Sequence, residues 1–188
     1  KLGLKNLLIT FHPVTLENAT AADQMAELLA ALESLTDTRL IFTMPNADTD
    51  GRVLIRMVEQ FVAQHANACA YASLGQLRYL SCIRHVDGVV GNSSSGLAEV
   101  PSFRKGTINI GDRQRGRLQA ASVINCEPTR RSIAAALERL YDADFQAGLS
   151  QVRNPYDEGG ASEKVVETIK HYAIDGIAKK AFYDLPAC

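Results

Sequence analysis

Residues 89–101 have the sequence "VVGNSSSGLAEVP", and this stretch decides the fold of the chain. Two valines lead into Gly91, small polar residues follow as far as Gly96, and Glu99 stands three residues further on. A buried strand that ends in a glycine-bracketed turn and opens a helix is typical of a parallel α/β sheet. The turn itself is open to three interpretations: a nucleophilic serine, a phosphate-binding turn or an ordinary surface turn.

The alternation of strand and helix continues on both sides of this stretch. Short apolar runs predict strands that are buried on both faces, at residues 6–11, 39–44, 68–73, 88–92 and 106–111. Apolar residues at helical spacing lie between the strands, and a later helix is predicted within 129–141. The segment 151–163 predicts a loose surface connection. The pattern predicts one Rossmann-like α/β domain over residues 1–188, with a parallel sheet and helices on both faces.

Composition and charge exclude several classes of protein. The 188 residues are 46% hydrophobic and carry a net charge of −1, which argues against a general nucleic-acid binder. No apolar run approaches the roughly 20 residues of a membrane helix, so no membrane contact is expected. The four cysteines have no metal-binding spacing, and we expect free, buried thiols, no metal and a reducing cytoplasm. The start "KLGLKNLLIT" enters a strand without Met, as a fragment of a longer protein would.

Ligands of parallel α/β sheets bind where the strands end, so the strand exits are the candidate sites. The exits contain "FHPVT", "MPNADTDG", "GNSSSGLAE" and "NIGDRQRGR". If the predicted fold is right, these segments bring one set of polar residues to a single rim: His12, Asn46, Ser93, Ser94, Glu99 and Arg113.

The serine turn fits neither of two well-known motifs. "GNSSSG" misses the spacing of a GxSxG nucleophile elbow by one residue, and Leu97 and Ala98 replace the Lys and Ser/Thr of a Walker A loop. Its N–H groups and hydroxyls remain able to hold an anion at the start of a helix. One turn into that helix, Glu99 suits a ribose diol. The alternative is an N-capped helix with a capping box of Ser and Glu.

Basic residues at the rim are also open to two interpretations. Arg113, Arg115 and Arg117 suit a diphosphate because guanidinium groups bind it with two hydrogen bonds, but they also suit a solvated basic loop. His12 precedes Pro13 at a strand end and is either functional or structural. The other three histidines have no partner in the sequence and are interpreted as structural.

These motifs together resemble the C-terminal domain of the UDP-N-acetylglucosamine 2-epimerase family. The resemblance covers most of the chain and is carried by "LLITFHPVT", "MPNAD" and "GVVGNSSSGLAEVPSFRKGTINIGDRQRGR". The "HPVT" motif is similar to the form found at this position in the family's hydrolysing branch. That branch makes N-acetylmannosamine for sialic-acid-type sugars. "YASLGQ", before the third helix, departs from the family's commoner pattern.

The resemblance implies the C-terminal half of a glycosyltransferase-B-type fold, and it implies roles for individual residues. Ser93 and Ser94 would contact the phosphates of UDP, and Glu99 its ribose. The other implied contacts are Arg113 at the diphosphate, Asn46 at the sugar nucleotide, the backbone near Leu74 at the uracil, and His12 as a catalytic histidine. The family's catalytic carboxylates lie in an N-terminal domain that nothing in this chain matches.

The implied reaction eliminates UDP from UDP-N-acetylglucosamine and hydrates the resulting glucal. It needs no cofactor and no metal, and the full-length protein is expected to be a cytoplasmic homo-oligomer. Two alternatives remain from other classes of protein. One is the nucleotide-sugar-binding domain of a glycosyltransferase-B-type transferase, and the other is a non-catalytic nucleotide-binding module.

Overall fold

The computed structural model describes residues 2–14, 21–45, 49–157, 159–173 and 175–177. The chain divides into two compact units, Lys1–Asp157 and Glu158–Cys188. Asn46, one of the predicted site residues, lies outside the described residues. That residues 1–188 form one domain stays a prediction.

A parallel sheet forms the centre of the larger unit. Over the described residues it has six strands: β1 Lys5–Thr10, β2 Thr38–Thr43, β3 Ala68–Tyr71, β4 Gly88–Gly91, β5 Gly106–Ile110 and β6 Val123–Cys126. Their order across the sheet is β3-β2-β1-β4-β5-β6, and every neighbouring pair is parallel. The direction of the strand order reverses between β1 and β4, which are hydrogen-bonded neighbours.

Helices of the larger unit lie between most of these strands and after the last one. They are α1 Ala21–Leu32, α2 Thr49–Gln64, α3 Gly75–His85, α4 Ser95–Ala98, α5 Arg130–Leu140 and α6 Ala143–Gly148, with 3-10 turns at Val100–Phe103 and Leu149–Gln151. The smaller unit contains α7, Ala161–His171.

Apolar side chains of the sheet pack on both of its faces. Because successive side chains of a strand point to opposite faces, Leu7 and Ile9 of β1 join a cluster with α1, α2 and α5. Leu8 joins a second cluster with Ile83 of α3. Burying one such side chain stabilises the fold by about 1.5–3 kcal/mol. The prediction of a Rossmann-like sheet with helices on both faces is confirmed.

The sequence analysis did not predict β6, and the strand it predicted at 68–73 is longer than the observed β3. Of the four residues of β6 only Ile124 is buried, because β6 is an edge strand and lacks an apolar run. The run at 68–73 forms a strand only as far as Tyr71.

The segment 151–163, predicted to be the loosest connection, is fastened at Asn154. The Asn154 side-chain amide donates to the Ala98 carbonyl oxygen (2.8 Å) and to Ser102 Oγ (2.7 Å). These bonds are possible because an asparagine amide carries two donors, which a count of Pro, Gly and Ser does not take into account. The boundary between the two compact units falls within this segment, as expected of a surface connection, and its first part is held to the larger unit at Asn154.

The described cysteines are Cys69, Cys82 and Cys126, and all three are free and half-buried. Desolvation by burial, with a smaller effect of the Glu127 carboxylate, raises the pKa of Cys126 to about 12. Among the described helices, none has the length and apolar character needed to cross a membrane.

Candidate functional site

A cavity of about 390 Å³ opens at the carboxyl ends of β1 and β4. In parallel α/β sheets, ligands bind where the strand order reverses, and this cavity lies at that reversal. Four of the predicted site residues line it: His12, Leu74, Ser93 and Glu99. Other lining residues carry hydroxyl groups: Thr10, Thr43, Ser73, Tyr79 and Ser95.

Gly91 makes the close approach of β1 and β4 possible. Its φ is +142°, and a Cβ at this position would meet the Thr10 carbonyl oxygen at 1.9 Å. Only glycine fits such a position without moving the backbone. The serine turn therefore begins directly against the end of β1.

Asn92, which the sequence prediction passed over, connects the two strand exits. Its side chain is 1% exposed, accepts a hydrogen bond from the His12 N–H (2.7 Å) and donates one to the His12 carbonyl oxygen (2.8 Å). Its own carbonyl oxygen accepts from Arg113 Nη1 (3.0 Å) and Gln114 Nε2 (2.8 Å). Asn92 therefore holds the His12 backbone and brings the Arg113 guanidinium beside the serine turn.

The helix after the serine turn is shorter than the sequence predicts. α4 ends at Ala98, and Glu99 is its C-cap residue instead of lying one turn inside it. Pro101 contributes to this, since proline has no N–H to donate to the preceding turn, and the chain continues into the 3-10 turn Val100–Phe103. A helix of one turn has a small macrodipole, so an anion here would be bound chiefly by the turn's own N–H groups and by cations.

The capping-box alternative is not met at Ser94, although the Ser95 N–H donates to Ser93 Oγ (3.4 Å). Ser94, the N-cap residue of α4, has helical backbone angles (φ −61°, ψ −24°), and its side chain makes no capping hydrogen bond. An N-cap side chain reaches the helix from an extended backbone, as Thr129 does before α5 (φ −124°, ψ 144°). Among the described residues, no acceptor receives a hydrogen bond from the N–H of Ser93 or of Ser94.

Gly96 fixes the far side of the serine turn. A Cβ at Gly96 would meet Thr107 Cγ2 of β5 at 2.6 Å, and the Thr107 hydroxyl donates to the Gly96 carbonyl oxygen (2.7 Å). The second glycine of the quoted stretch is therefore needed for packing against β5.

Tyr79 and Ser95 are cavity residues that the sequence prediction also missed. Ser95 Oγ donates to the Tyr79 hydroxyl (2.9 Å), and the hydroxyls of Thr10 and Thr43 lie 2.6 Å apart. Desolvation raises the pKa of Tyr79, and the nearby Glu99 carboxylate adds to this effect. The phenol is therefore neutral at physiological pH and keeps its proton as a donor.

Two predicted residues lie beside the cavity and do not line it. The Arg113 guanidinium donates a hydrogen bond to the Asn92 carbonyl oxygen. Burial lowers the pKa of Arg113, and the nearby Arg117 guanidinium lowers it further. An arginine so placed stays charged. Ser94 lies in the turn, next to Ser93.

A larger cavity, about 630 Å³, lies at the ends of β5 and β6 and is lined by residues such as Asn109, Asp112, Arg115 and Asn125. It contains Arg115, one of the three arginines considered for a diphosphate, and none of the residues to which the resemblance gives a role. We assign the candidate site to the smaller cavity because that cavity joins a histidine, a serine turn and a carboxylate at the reversal of strand order.

Comparisons with known proteins agree on a family. A family model described as UDP-N-acetylglucosamine 2-epimerase matches residues 2–170. "Polysialic acid biosynthesis protein P7" of Escherichia coli is 38% identical, over 96% of this chain and 46% of that protein. "GDP/UDP-N,N'-diacetylbacillosamine 2-epimerase (hydrolyzing)" of Campylobacter jejuni is 36% identical, over 98% of this chain and 48% of that protein. The chain thus spans about half the length of these curated relatives.

Solved structures share the fold. The UDP complex of S. aureus MnaA has a TM-score of 0.71 at 19% identity, over 89% of this chain and 45% of that one. The C-terminal domain of a group 1 glycosyl transferase (LpcC) of Francisella tularensis has a TM-score of 0.57 at 16% identity, over 92% of this chain and 88% of that one. At these identities the likeness shows the fold alone, which is that of one half of a glycosyltransferase-B-type protein.

Proposed function

The chain belongs to the UDP-N-acetylglucosamine 2-epimerase family, and we propose that it is the UDP-binding part of a hydrolysing member. The full-length protein would convert UDP-N-acetylglucosamine into N-acetylmannosamine and UDP, for sialic-acid-type sugar synthesis. Two names support this branch: the E. coli relative is a polysialic acid biosynthesis protein, and the C. jejuni relative is called hydrolyzing. The free thiols of the described cysteines support a cytoplasmic location.

The observation that carries the proposal is the meeting of His12, Leu74, Ser93 and Glu99 in one cavity. In the proposed complex, the backbone near Leu74 contacts the edge of the uracil, and the Glu99 carboxylate accepts hydrogen bonds from the two ribose hydroxyls. A carboxylate without hydrogens of its own suits a diol, since each hydroxyl supplies one donor.

The diphosphate is assigned to the serine turn. The N–H groups of Ser93 and Ser94 have no acceptor among the described residues, and the Arg113 guanidinium is fixed at the neighbouring carbonyl of Asn92. Backbone donors and a guanidinium are the groups that bind phosphate oxygens in proteins. We assign Asn46 to the sugar side of the nucleotide.

In the proposed reaction, the C2–H bond and the C1–O bond of the sugar break, a C1=C2 double bond forms, and UDP leaves with the electron pair. Charge then develops on the departing diphosphate, where the Arg113 guanidinium stabilises it and His12 gives a proton to a phosphate oxygen. Water next adds its hydroxyl at C1 and its proton at C2. We assign the removal of the C2 proton to a part of the full-length protein outside this chain.

A glycosyltransferase is the second candidate, because the fold matches the C-terminal domain of the F. tularensis glycosyl transferase. The two candidates differ in the product. In the full-length protein, an epimerase of the proposed kind releases UDP and N-acetylmannosamine with no acceptor present, whereas a transferase needs an acceptor to release UDP at a comparable rate.

Isothermal titration of the chain with UDP and with uridine tests the nucleotide site. UDP is expected to bind at least about tenfold more tightly, since charge-assisted hydrogen bonds to the phosphates contribute about 1.5–3 kcal/mol each. Equal affinities for the two ligands would remove the diphosphate assignment. Absence of binding by both at millimolar concentration would remove the site.

A further inference from the structure

Tyr79 connects two walls of the proposed nucleotide cavity. It lies on α3, which follows directly after Leu74, the residue assigned to the uracil. Its hydroxyl accepts the hydrogen bond from Ser95 Oγ at 2.9 Å, and Ser95 is the residue after the Ser93–Ser94 pair assigned to the phosphates. Tyr79 itself has no assigned contact with the nucleotide. One hydrogen bond therefore joins the helix behind the uracil to the turn that would receive the diphosphate.

The hydroxyls around Tyr79 form a row along the cavity. Thr10 lies close enough to the Tyr79 phenol to lower its pKa, and Thr10 Oγ1 lies 2.6 Å from Thr43 Oγ1. The row runs from Ser95 through Tyr79 to the ends of β1 and β2, and all four residues line the cavity. The Ser95 side chain is thereby held by groups that are themselves fixed to the sheet.

The serine turn needs such support because α4 is one turn long. The Ser94 side chain makes no capping bond, so it does not hold the turn. On the side of β5, the turn is fixed by Thr107 at Gly96. On the side of the cavity, the Ser95–Tyr79 bond is the side-chain hydrogen bond that holds α4 to α3 among the described residues.

We propose that Tyr79 is a positioning residue, which through its hydrogen bond to Ser95 holds the serine turn in the conformation that receives the diphosphate. The inference rests on the proposed UDP site. A turn fixed before binding loses less conformational entropy when the ligand arrives, so the bond raises affinity for phosphate-bearing ligands. Uridine makes no contact with the turn and gains nothing from the bond.

A double-mutant cycle of Tyr79→Phe and Ser95→Ala, measured by titration with UDP and with uridine, tests the inference. Phenylalanine keeps the ring that packs in the cavity, so the fold is expected to persist. Each single variant is expected to bind UDP about tenfold more weakly, which corresponds to the loss of one hydrogen bond, and uridine with unchanged affinity. The double variant is expected to be no weaker than either single variant, because both substitutions remove the same bond.

Two controls repeat the substitutions elsewhere in the larger unit. Tyr156→Phe also removes a hydroxyl hydrogen bond, from Tyr156 to the Leu118 carbonyl oxygen (3.1 Å), and Tyr156 does not line the cavity. Ser81→Ala removes the bond from Ser81 Oγ to the Leu77 carbonyl oxygen (2.7 Å) on α3 itself. Both controls are expected to bind UDP like the wild type.

Three outcomes would overturn the inference. They are unchanged UDP affinity in Tyr79→Phe, equal losses for UDP and uridine, and additive losses in the double variant. If the wild-type chain binds UDP in any of these cases, the proposed UDP site stands and the positioning role alone is lost. If the wild-type chain does not bind UDP, both proposals are lost.

Discussion

Asn92→Ala is expected to loosen the cavity without unfolding the larger unit. The asparagine side chain makes two hydrogen bonds to the His12 backbone, at 2.7 and 2.8 Å, and is 1% exposed. Removing it leaves a partly buried N–H and a partly buried carbonyl without these partners, at a cost of about 1–3 kcal/mol for each group. The free energy of unfolding should fall by roughly 2–4 kcal/mol, since the two costs are not fully additive. Domains are typically stable by about 5–15 kcal/mol, so most molecules should stay folded.

The change should be visible in both stability and binding. A loss of this size lowers the melting temperature of a chain of this length by roughly 5–15 °C. UDP affinity should fall as well, because the Asn92 side chain holds the His12 backbone at the cavity. The backbone carbonyl of residue 92, which accepts from Arg113, stays in the variant but loses the side-chain bonds that fix its position. Thermal unfolding by circular dichroism and titration with UDP measure the two effects.

Asn67→Ala is the matched control for Asn92→Ala. The Asn67 side-chain amide also makes two hydrogen bonds to backbone, to the carbonyl oxygens of Leu35 and Thr38, both at 2.8 Å. Asn67 does not line the cavity, so its loss should lower stability and leave UDP affinity unchanged. Equal UDP affinity in the Asn92 and Asn67 variants would refute the reasoning, as would a melting temperature unchanged by Asn92→Ala.

Three further predictions concern single residues. Glu99→Gln should weaken UDP binding by about 1.5–3 kcal/mol and weaken binding of 2′,3′-dideoxy-UDP much less, because only a ligand with ribose hydroxyls donates to Glu99. Equal losses in titrations with the two ligands would contradict the ribose contact. Gly91→Ala should prevent stable folding in a denaturation assay, since its Cβ would overlap the Thr10 carbonyl. Gly111→Ala, at φ +72° with open space around it, should lower the free energy of unfolding by only about 1–2 kcal/mol. Similar stabilities of the two variants would count against the close approach. In the full-length protein, His12→Ala should lower kcat more than UDP affinity, which coupled detection of released UDP measures, and full activity would remove His12 from the reaction.

Apolar runs were enough to predict the centre of the sheet. β1, β2, β4 and β5 are largely buried, so their sequences show continuous apolar runs. β3 is an edge strand with one buried residue, Ala68, and was predicted because its own residues are apolar. β6 lies at the edge and buries little besides Ile124, so its sequence carries a weak signal. The end of α4 could have been found, because Pro101 stands inside the quoted stretch and limits the helix before it.

The strand-exit rule, together with the family resemblance, selected His12, Leu74, Ser93 and Glu99, which the structure places around one cavity. Their roles stay predictions. Asn92 was missed because its importance depends on hydrogen bonds to a residue 80 positions earlier in the chain. A partnership of that range leaves no periodic pattern in one sequence.

The short α4 also determines how the charge of a bound diphosphate is balanced. A long helix would offer the positive end of its macrodipole, but a single turn offers little beyond its free N–H groups. Near the turn, the structure provides the Arg113 guanidinium as a fixed positive charge, and the Glu99 carboxylate in the cavity opposes it. A diphosphate carries more negative charge than one guanidinium neutralises, so the Arg113 guanidinium alone would neutralise it incompletely. The chain spans about half the length of these curated relatives. In the proposed full-length protein, further positive groups would come from outside this chain. The UDP affinity of this chain should therefore be weaker than that of the full-length protein and should fall more steeply as salt is added, because an incompletely neutralised and exposed diphosphate is screened by ions.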